Sequence, residues 1–275
     1  MQLTLAQALA AAKLAAVDAR VLMRHALGVD AAYLIAHADI ALSAAQNAAY
    51  AVLVARRRAG EPVAYIAGTR EFFSFDFKVT PAVLIPRPET ELLVEFALEC
   101  LRPDRACRVL DLGTGSGCIA ISIARHRPRA RIVAVERSAD ALAVAHENAT
   151  WHATANLDLL ASDWFVALDE QHFDLIVANP PYVAAGDPHL GEGDLRFEPA
   201  PALVAGGDGL DCIRAIVAAA PRFLNRGGWL VFEHGYEQAA RCRALLAGAG
   251  FENIFSRNDV AGIERVSGGR RGAAP

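Results

Sequence analysis

From residue 108 onward the chain switches repeatedly between two hydrophobic periods. Runs of branched or aromatic residues stand at 108–112, 131–136, 157–161, 173–178, 228–233, 251–256 and 264–267, and helical spacing fills most of the gaps. Strands that alternate with helices build a parallel sheet covered on both faces, so this part of the chain is predicted to be α/β with seven strands. The last two runs are separated only by residues 257–263. A parallel crossover needs about a dozen residues or more, so this final pair is expected to be antiparallel. The tail, 268–275, is expected to fray.

The first 60 residues carry no strand signal. Thr4 with Gln7, and Ser43 with Gln46, have the spacing of capping boxes, Asp30 is placed to cap a short helix ending near Asp39, and Gly28 is a helix stop. The triplet Arg56-Arg57-Arg58 falls at a helix C-terminus, where cations complement the helix dipole. Phe72, Phe73, Phe75, Phe77 and Val79, with Ser74 and Asp76 between them, predict a β-hairpin. Pro88 then opens a helix from Glu89 to about Leu101. The expected division is a helical domain over 1–69, a hairpin linker over 70–85 and an α/β domain over 86–275.

Composition excludes several classes. Hydrophobic residues make up 54% and charged residues 21% of the 275 positions, against a disordered chain. No apolar run approaches the roughly 20 residues of a membrane helix. The 27 basic and 31 acidic residues leave a net charge of -4, which argues against a surface coated with nucleic acid. Five cysteines (100, 107, 118, 212 and 242) with no C-x-x-C spacing predict neither a disulfide framework nor a zinc site. Asp18 and Arg20 interrupt the N-terminal apolar stretch, so no signal peptide is expected and the cytoplasm is the expected compartment.

The candidate chemistry lies at successive strand ends. After the first α/β strand comes Asp111-Leu112-Gly113-Thr114-Gly115-Ser116-Gly117. Glycines there permit a tight turn and close approach of a ligand to the backbone. The dinucleotide fingerprint G-x-G-x-x-G needs glycine at 118, where Cys118 stands. The pattern Asp-x-Gly-x-Gly-x-Gly instead resembles the first motif of class I S-adenosylmethionine-dependent methyltransferases. Glu136 ends the second strand, where a carboxylate can accept from both ribose hydroxyls. Asp163 and Trp164 follow the third, where an acid can accept from an adenine amino group and an indole can wall the base. Gly113, Thr114, Gly115, Ser116, Gly117, Glu136, Asp163 and Trp164 together match one adenosyl ligand.

The fourth strand leads into Asn179-Pro180-Pro181-Tyr182. Two prolines stiffen the chain. The Asn179 side-chain carbonyl and the Pro180 backbone carbonyl form a pair of acceptors for the two N–H bonds of a planar NH2 group, and Tyr182 can stack on that plane. An amide or aromatic amine is a poor nucleophile, because its lone pair is delocalised. Acceptors that favour positive charge on the nitrogen are what such a methyl transfer requires. The motif is shared by enzymes acting on adenine, cytosine and glutamine, and does not choose among them. His234 is placed where a base could stand, but the chemistry does not call for one. Glu233 is expected to serve the sheet end or the pocket wall.

A wider resemblance selects an acceptor. Glu61-Pro62-Val63-Ala64-Tyr65-Ile66-Ala67-Gly68, Arg70-Glu71-Phe72-Phe73, Leu84-Ile85-Pro86-Arg87-Pro88-Glu89-Thr90-Glu91, Glu198-Pro199-Ala200-Pro201-Ala202-Leu203 and Gly206-Gly207-Asp208-Gly209-Leu210 resemble the HemK/PrmC family of protein-(glutamine-N5) methyltransferases. The resemblance runs to Arg265. It implies a Rossmann-like class I methyltransferase fold, with a helical N-terminal domain that helps dock the substrate. It also implies S-adenosyl-L-methionine as cofactor and methylation of the glutamine in the Gly-Gly-Gln motif of class 1 peptide chain release factors. Asn179, Pro180, Pro181 and Tyr182 would hold the glutamine, with Asn179 also near the cofactor and Asn179, Pro180 and Tyr182 as the catalytic set. Glu136 stands where many relatives carry Asp. Arg87, Thr90 and Glu91 would border the methionine end of the cofactor or act as helix cap and salt-bridge partners. The rival reading is a DNA or RNA adenine-N6 methyltransferase, which would use the same Asn-Pro-Pro-Tyr but usually adds a basic recognition region. A protein substrate, no nucleic-acid substrate, no membrane and a monomer are expected.

Overall fold

The structure, a computed structural model, describes residues 2–272. The chain divides into two compact units: one contains the residues up to Arg70 together with Gly191–Phe197, and the other contains the rest.

The first unit is helical: α1 (Leu5–Ala11), α2 (Ala16–Leu27), α3 (Ala31–Ala36), α4 (Ala44–Arg58) and α5 (Val63–Ala67). Both capping boxes form. The Thr4 and Ser43 hydroxyls accept from the amides of Gln7 and Gln46, and each glutamine side chain accepts from the amide of its cap residue. Gly28 closes α2 in the left-handed region at φ +65°. Asp30 caps α3, which stops at Ala36, three residues short of the predicted end. Leu5, Leu22, Met23, Leu34, Tyr50 and Val54 form the core. The arginine triplet is absorbed within the unit. Arg57 pairs with Asp18 at 2.7 Å and with Asp194 at 2.8 Å, and Arg58 donates to the Ala11 and Ala12 carbonyls. Asp194 lies in the segment 191–197 that groups with the helices, a placement no local signal in the sequence announces.

The second unit begins at Glu71, within the hairpin. β1 (Thr69–Phe72) and β2 (Phe75–Lys78) pair, with Phe73 and Ser74 at positive φ in the turn. Residues 79–85 carry no strand. A short 3-10 turn over Pro88–Thr90 leads into α6 (Glu91–Cys100). There follow β3 (Arg108–Leu112), α7 (Cys118–His126), β4 (Arg131–Glu136), α8 (Ala139–Trp151), β5 (Leu157–Ala161) and β6 (Phe173–Ala178). After a long segment come α9 (Asp211–Phe223), β7 (Leu224–Glu233), α10 (Ala239–Gly248), β8 (Phe251–Asn258) and β9 (Glu264–Arg271).

The sheet order is β5-β4-β3-β6-β7-β9-β8. The first five strands are parallel, and β9 is antiparallel to both β7 and β8. The expected antiparallel end is therefore present. The expectation of a frayed tail is corrected: residues 268–271 are strand, because β9 inserts between β7 and β8 and pairs on both edges. Residues 273–275 lie outside the described residues.

Alternate residues of the parallel strands feed opposite cores, as the two-residue period of a strand requires. Val109, Ile132, Leu175 and Val231 face one core with α6 and α7, while Leu110, Val133, Ile176 and Leu230 face the other with α9 and α10. The chain runs outward from β3 through β4 to β5, then returns to β6 and β7 on the other side. This reversal leaves a crevice beyond the carboxyl ends of β3 and β6, where open α/β sheets bind ligands.

Candidate active site

The glycine loop rests on backbone contacts. The amides of Gly113 and Thr114 both donate to the Val135 carbonyl, at 2.9 and 3.0 Å, and Gly117 donates to Thr114 at 2.8 Å. Gly113, Gly115 and Gly117 have φ of +70°, +56° and +82°, a region that a Cβ strains. Gly117 is also tightly surrounded, since a Cβ there would lie 3.0 Å from the Ile121 side chain and 3.4 Å from Ala145. Asp111 is fully buried beneath the loop and accepts from the Thr114 hydroxyl at 2.6 Å. Burial raises its carboxyl to about 7, and the Thr114 bond opposes the rise.

Glu136, at the end of β4, is clamped by two amides: Gly115 donates to Oε2 at 3.0 Å and Ser138 to Oε1 at 2.9 Å. The carboxylate is thereby fixed at the crevice, and each oxygen keeps a further lone pair. Trp164 follows β5 at φ +49°, with its ring over Gly113, so that a Cβ on Gly113 would sit 3.4 Å from the indole.

Asn179, at the end of β6, is held by a chain of side chains from distant segments. Its Nδ2 donates to Thr90 Oγ1 at 3.1 Å, the Thr90 hydroxyl donates to Glu233 Oε2 at 2.6 Å, and the Tyr182 hydroxyl donates to Glu233 Oε1 at 3.0 Å. Glu233 is 2% exposed. Burial raises its pKa, against the two hydroxyl bonds. The charge of Glu233, followed by burial, raises that of Tyr182. The Asn179 Oδ1 is buried and has no hydrogen-bond partner among the described residues. An unpaired buried amide oxygen costs about 1–3 kcal/mol, which a ligand N–H would recover.

One cleft gathers most of the predicted residues. Gly113, Thr114, Gly115 and Ser116 line it, as do Glu136, Asp163, Trp164, Asn179 and Pro181. Gly117, Pro180 and Tyr182 do not: Gly117 caps α7 from behind the loop, Pro180 is buried, and the Tyr182 hydroxyl is turned to Glu233. Of the three residues left between two readings, Thr90 and Arg87 line the cleft. Arg87 pairs with buried Glu198, which also accepts from the Ile85 amide at 3.2 Å. Glu91 instead accepts from the Phe73 amide and braces the hairpin.

His234 has no access to the cleft. It is fully buried, with Nδ1 on the Gly235 carbonyl at 2.9 Å and Nε2 on Ser267 at 2.8 Å, and burial lowers its pKa.

Pro199, Pro201, Ala202 and Val204 also line the cleft, and no site role was assigned to them from sequence. Bonds of 2.9 Å from Val183 to Leu203 and from Ala205 to Val183 pin that segment beside Asn-Pro-Pro-Tyr. The proline-rich run after Glu198 was the available signal. Gly209 belongs to the same arrangement: at φ +74°, a Cβ on it would collide with the Tyr182 carbonyl.

A crevice with this strand order, an acid at the second strand end and an unpaired amide acceptor at the fourth define a class I S-adenosylmethionine-dependent methyltransferase. Solved structures agree on the fold. A Pyrococcus furiosus methyltransferase superposes with a TM-score of 0.56 at 16% identity, over 79% of this chain and 97% of that one. A T. thermophilus 16S rRNA N2 G1207 methyltransferase in complex with AdoMet and guanosine gives 0.56 at 25% identity, over 74% and 49%. Residues 3–68 match the PrmC N-terminal domain model, and 89–196 match the methyltransferase small domain model. The release factor glutamine methyltransferase of Burkholderia pseudomallei is 55% identical over 97% of this chain and 96% of its own length. That of Xylella fastidiosa strain 9a5c is 50% identical over 92% of each. The chain belongs to the release factor glutamine methyltransferase family.

Proposed function

We propose that this protein transfers a methyl group from S-adenosylmethionine to the side-chain amide of the glutamine in the Gly-Gly-Gln motif of class 1 release factors. The observation that carries the reading is the buried, unpartnered Asn179 Oδ1 at the end of β6. It fits the N–H of a planar NH2 group, and the curated relatives are named for glutamine as acceptor.

The cofactor supplies an electrophilic methyl on a sulfonium. Gly113–Ser116 give it a close backbone surface, Glu136 takes the ribose hydroxyls, and Asp163 and Trp164 take the adenine. Asn179 Oδ1 accepts one N–H bond of the glutamine amide and Pro181 walls it from within the cleft; the Pro180 carbonyl and the Tyr182 ring, which do not line the cleft, complete the acceptor site once the amide is bound. Positive charge grows on the nitrogen as its bond to the methyl carbon forms and the carbon–sulfur bond breaks, and the two acceptors stabilise that charge. Alignment of nitrogen, carbon and sulfur supplies the proximity term, about 7–11 kcal/mol in well-oriented systems. The N-methylated product then loses its proton to water, so no strong base is required. The helical unit docks the release factor, the protein acts as a monomer in the cytoplasm, and nucleic acid is not methylated.

The test uses radiolabelled S-adenosylmethionine with purified release factor and, separately, DNA and RNA. Label on the release factor that disappears with Gln→Ala in its Gly-Gly-Gln is expected. Label on nucleic acid alone, or label that survives that substitution, overturns the assignment.

A further inference from the structure

Asn179 has an amide with two different ends, and rotation by 180° exchanges them with little change in shape. One end would accept from an incoming N–H and the other would repel it. Something must therefore choose the rotamer, and the choice follows from counting protons. Thr90 Oγ1 lies 3.1 Å from Asn179 Nδ2 and 2.6 Å from Glu233 Oε2. A hydroxyl has a single proton to donate. The two hydroxyl bonds favour the ionised form of Glu233 against its burial, and in that form the carboxylate can only accept, so the Thr90 proton goes to Glu233. What Thr90 offers Asn179 is then a lone pair, which only the NH2 end can use. The carbonyl end is left facing the other way, buried and without a partner. The second Glu233 oxygen is taken by the Tyr182 hydroxyl at 3.0 Å, which ties both ends of Asn-Pro-Pro-Tyr to one buried carboxylate.

We infer that Thr90 and Glu233 are positioning residues for methyl transfer: Glu233 claims the Thr90 proton, and Thr90 in turn locks the Asn179 carbonyl towards the acceptor nitrogen. The inference rests on the proposed role of Asn179. The two residues come from the first turn before α6 and from the end of β7, and they meet Asn179 only across the top of the sheet.

The test compares Thr90→Val, Thr90→Ser and Glu233→Gln in the full chain. Each is assayed for kcat and KM with release factor, and for S-adenosylmethionine affinity by calorimetry. Valine keeps the branched shape but cannot accept from Nδ2, so kcat is expected to fall about 10- to 100-fold with cofactor affinity retained. Serine restores the hydroxyl, and is expected to restore kcat. Glutamine at 233 presents a donor where one of two hydroxyls needs an acceptor, and a smaller loss of kcat is expected. This variant also decides the matter if the valine variant does not fold. A wild-type kcat in Thr90→Val or, if that variant does not fold, in Glu233→Gln overturns the inference. Equal losses in Thr90→Val and Thr90→Ser, or a loss confined to cofactor affinity, do the same. Failure of the glutamine reading is distinguishable, because it shows in the wild-type protein as label on the wrong acceptor. Asn179 would hold any planar NH2 group, so the three variants are then compared on the acceptor that is labelled.

Discussion

The two ends of the cleft are built by different means. At the glycine-loop end, the backbone sets the geometry: three glycines at positive φ, two amides on one Val135 carbonyl, and Glu136 clamped by amides two and 21 residues away along the chain. At the Asn179 end, side chains do it. Asn179 depends on Thr90, 89 residues earlier, and Thr90 on Glu233, 143 residues later. A backbone-built site is tolerant outside its glycines, because most other side chains leave the peptide groups where they are. A site built from a relay of side chains has single points of failure, and its orientation depends on every member.

The sharpest way to break this comparison is Asn179→Ala. Removing one preorganised acceptor is expected to lower the methyl-transfer rate about 10²- to 10³-fold, in single-turnover labelling of release factor, while S-adenosylmethionine affinity falls much less. Equal losses in both would mean that the two ends are not separable.

The next effect lies beneath the glycine loop. Burial holds the Asp111 carboxyl at about 7, well above its ordinary 3.8. The native state therefore binds that proton more tightly than the unfolded state. The resulting stabilisation is fully present below about pH 4 and is lost as pH rises through about 7. An Asp111→Asn variant carries an amide there, which does not titrate. Melting temperatures measured from pH 4 to 8 should show the wild type losing stability relative to the variant across that window. A constant difference would show that burial does not raise this carboxyl.

Gly117→Ala tests the loop itself. A left-handed conformation at a non-glycine residue costs about 1–2 kcal/mol, and the Ile121 side chain must also give way. Urea denaturation should report a loss of that size. An unchanged midpoint would mean that the loop relaxes and is not held as tightly as its hydrogen bonds imply.

The smallest effect is expected at His234, which lies next to Glu233 in sequence but belongs to neither end. His234→Gln should cost about 1 kcal/mol of stability through its two buried hydrogen bonds and leave the pH–rate profile unchanged. A shifted profile would make it a base and undo the account of the chemistry.

Much of this was legible in the sequence. The five parallel strands were found because strands between helical stretches are short branched runs, largely buried in β3, β4, β6 and β7 and half-exposed in the edge strand β5, and β3 to β6 begin and end where the pattern placed them. The capping boxes at Thr4 and Ser43 and the stop at Gly28 are local, three- or four-residue events. The extension of β9 to Arg271 was not legible, because residues 268–271 (Gly-Gly-Arg-Arg) carry no strand signal of their own and are strand only through partners on both sides. Nor was the place of 191–197, which groups with the helical unit and there pairs Asp194 with Arg57.

The same line divides the site. The glycine loop, Glu136 and Asn-Pro-Pro-Tyr are contiguous motifs at strand ends, and a motif whose geometry is set by its own backbone can be read from its own residues. Tyr182 turned to Glu233, Glu198 beneath Arg87, and the chain from Asn179 through Thr90 to Glu233 join segments that have no common pattern. By itself the sequence determined the fold class and the acceptor motif, because these follow from local periodicity and spacing, while the family came from the resemblance of whole segments to known relatives. Only the tertiary structure decided which way the Asn179 amide faces, because that depends on where the single proton of a hydroxyl 89 residues away is spent.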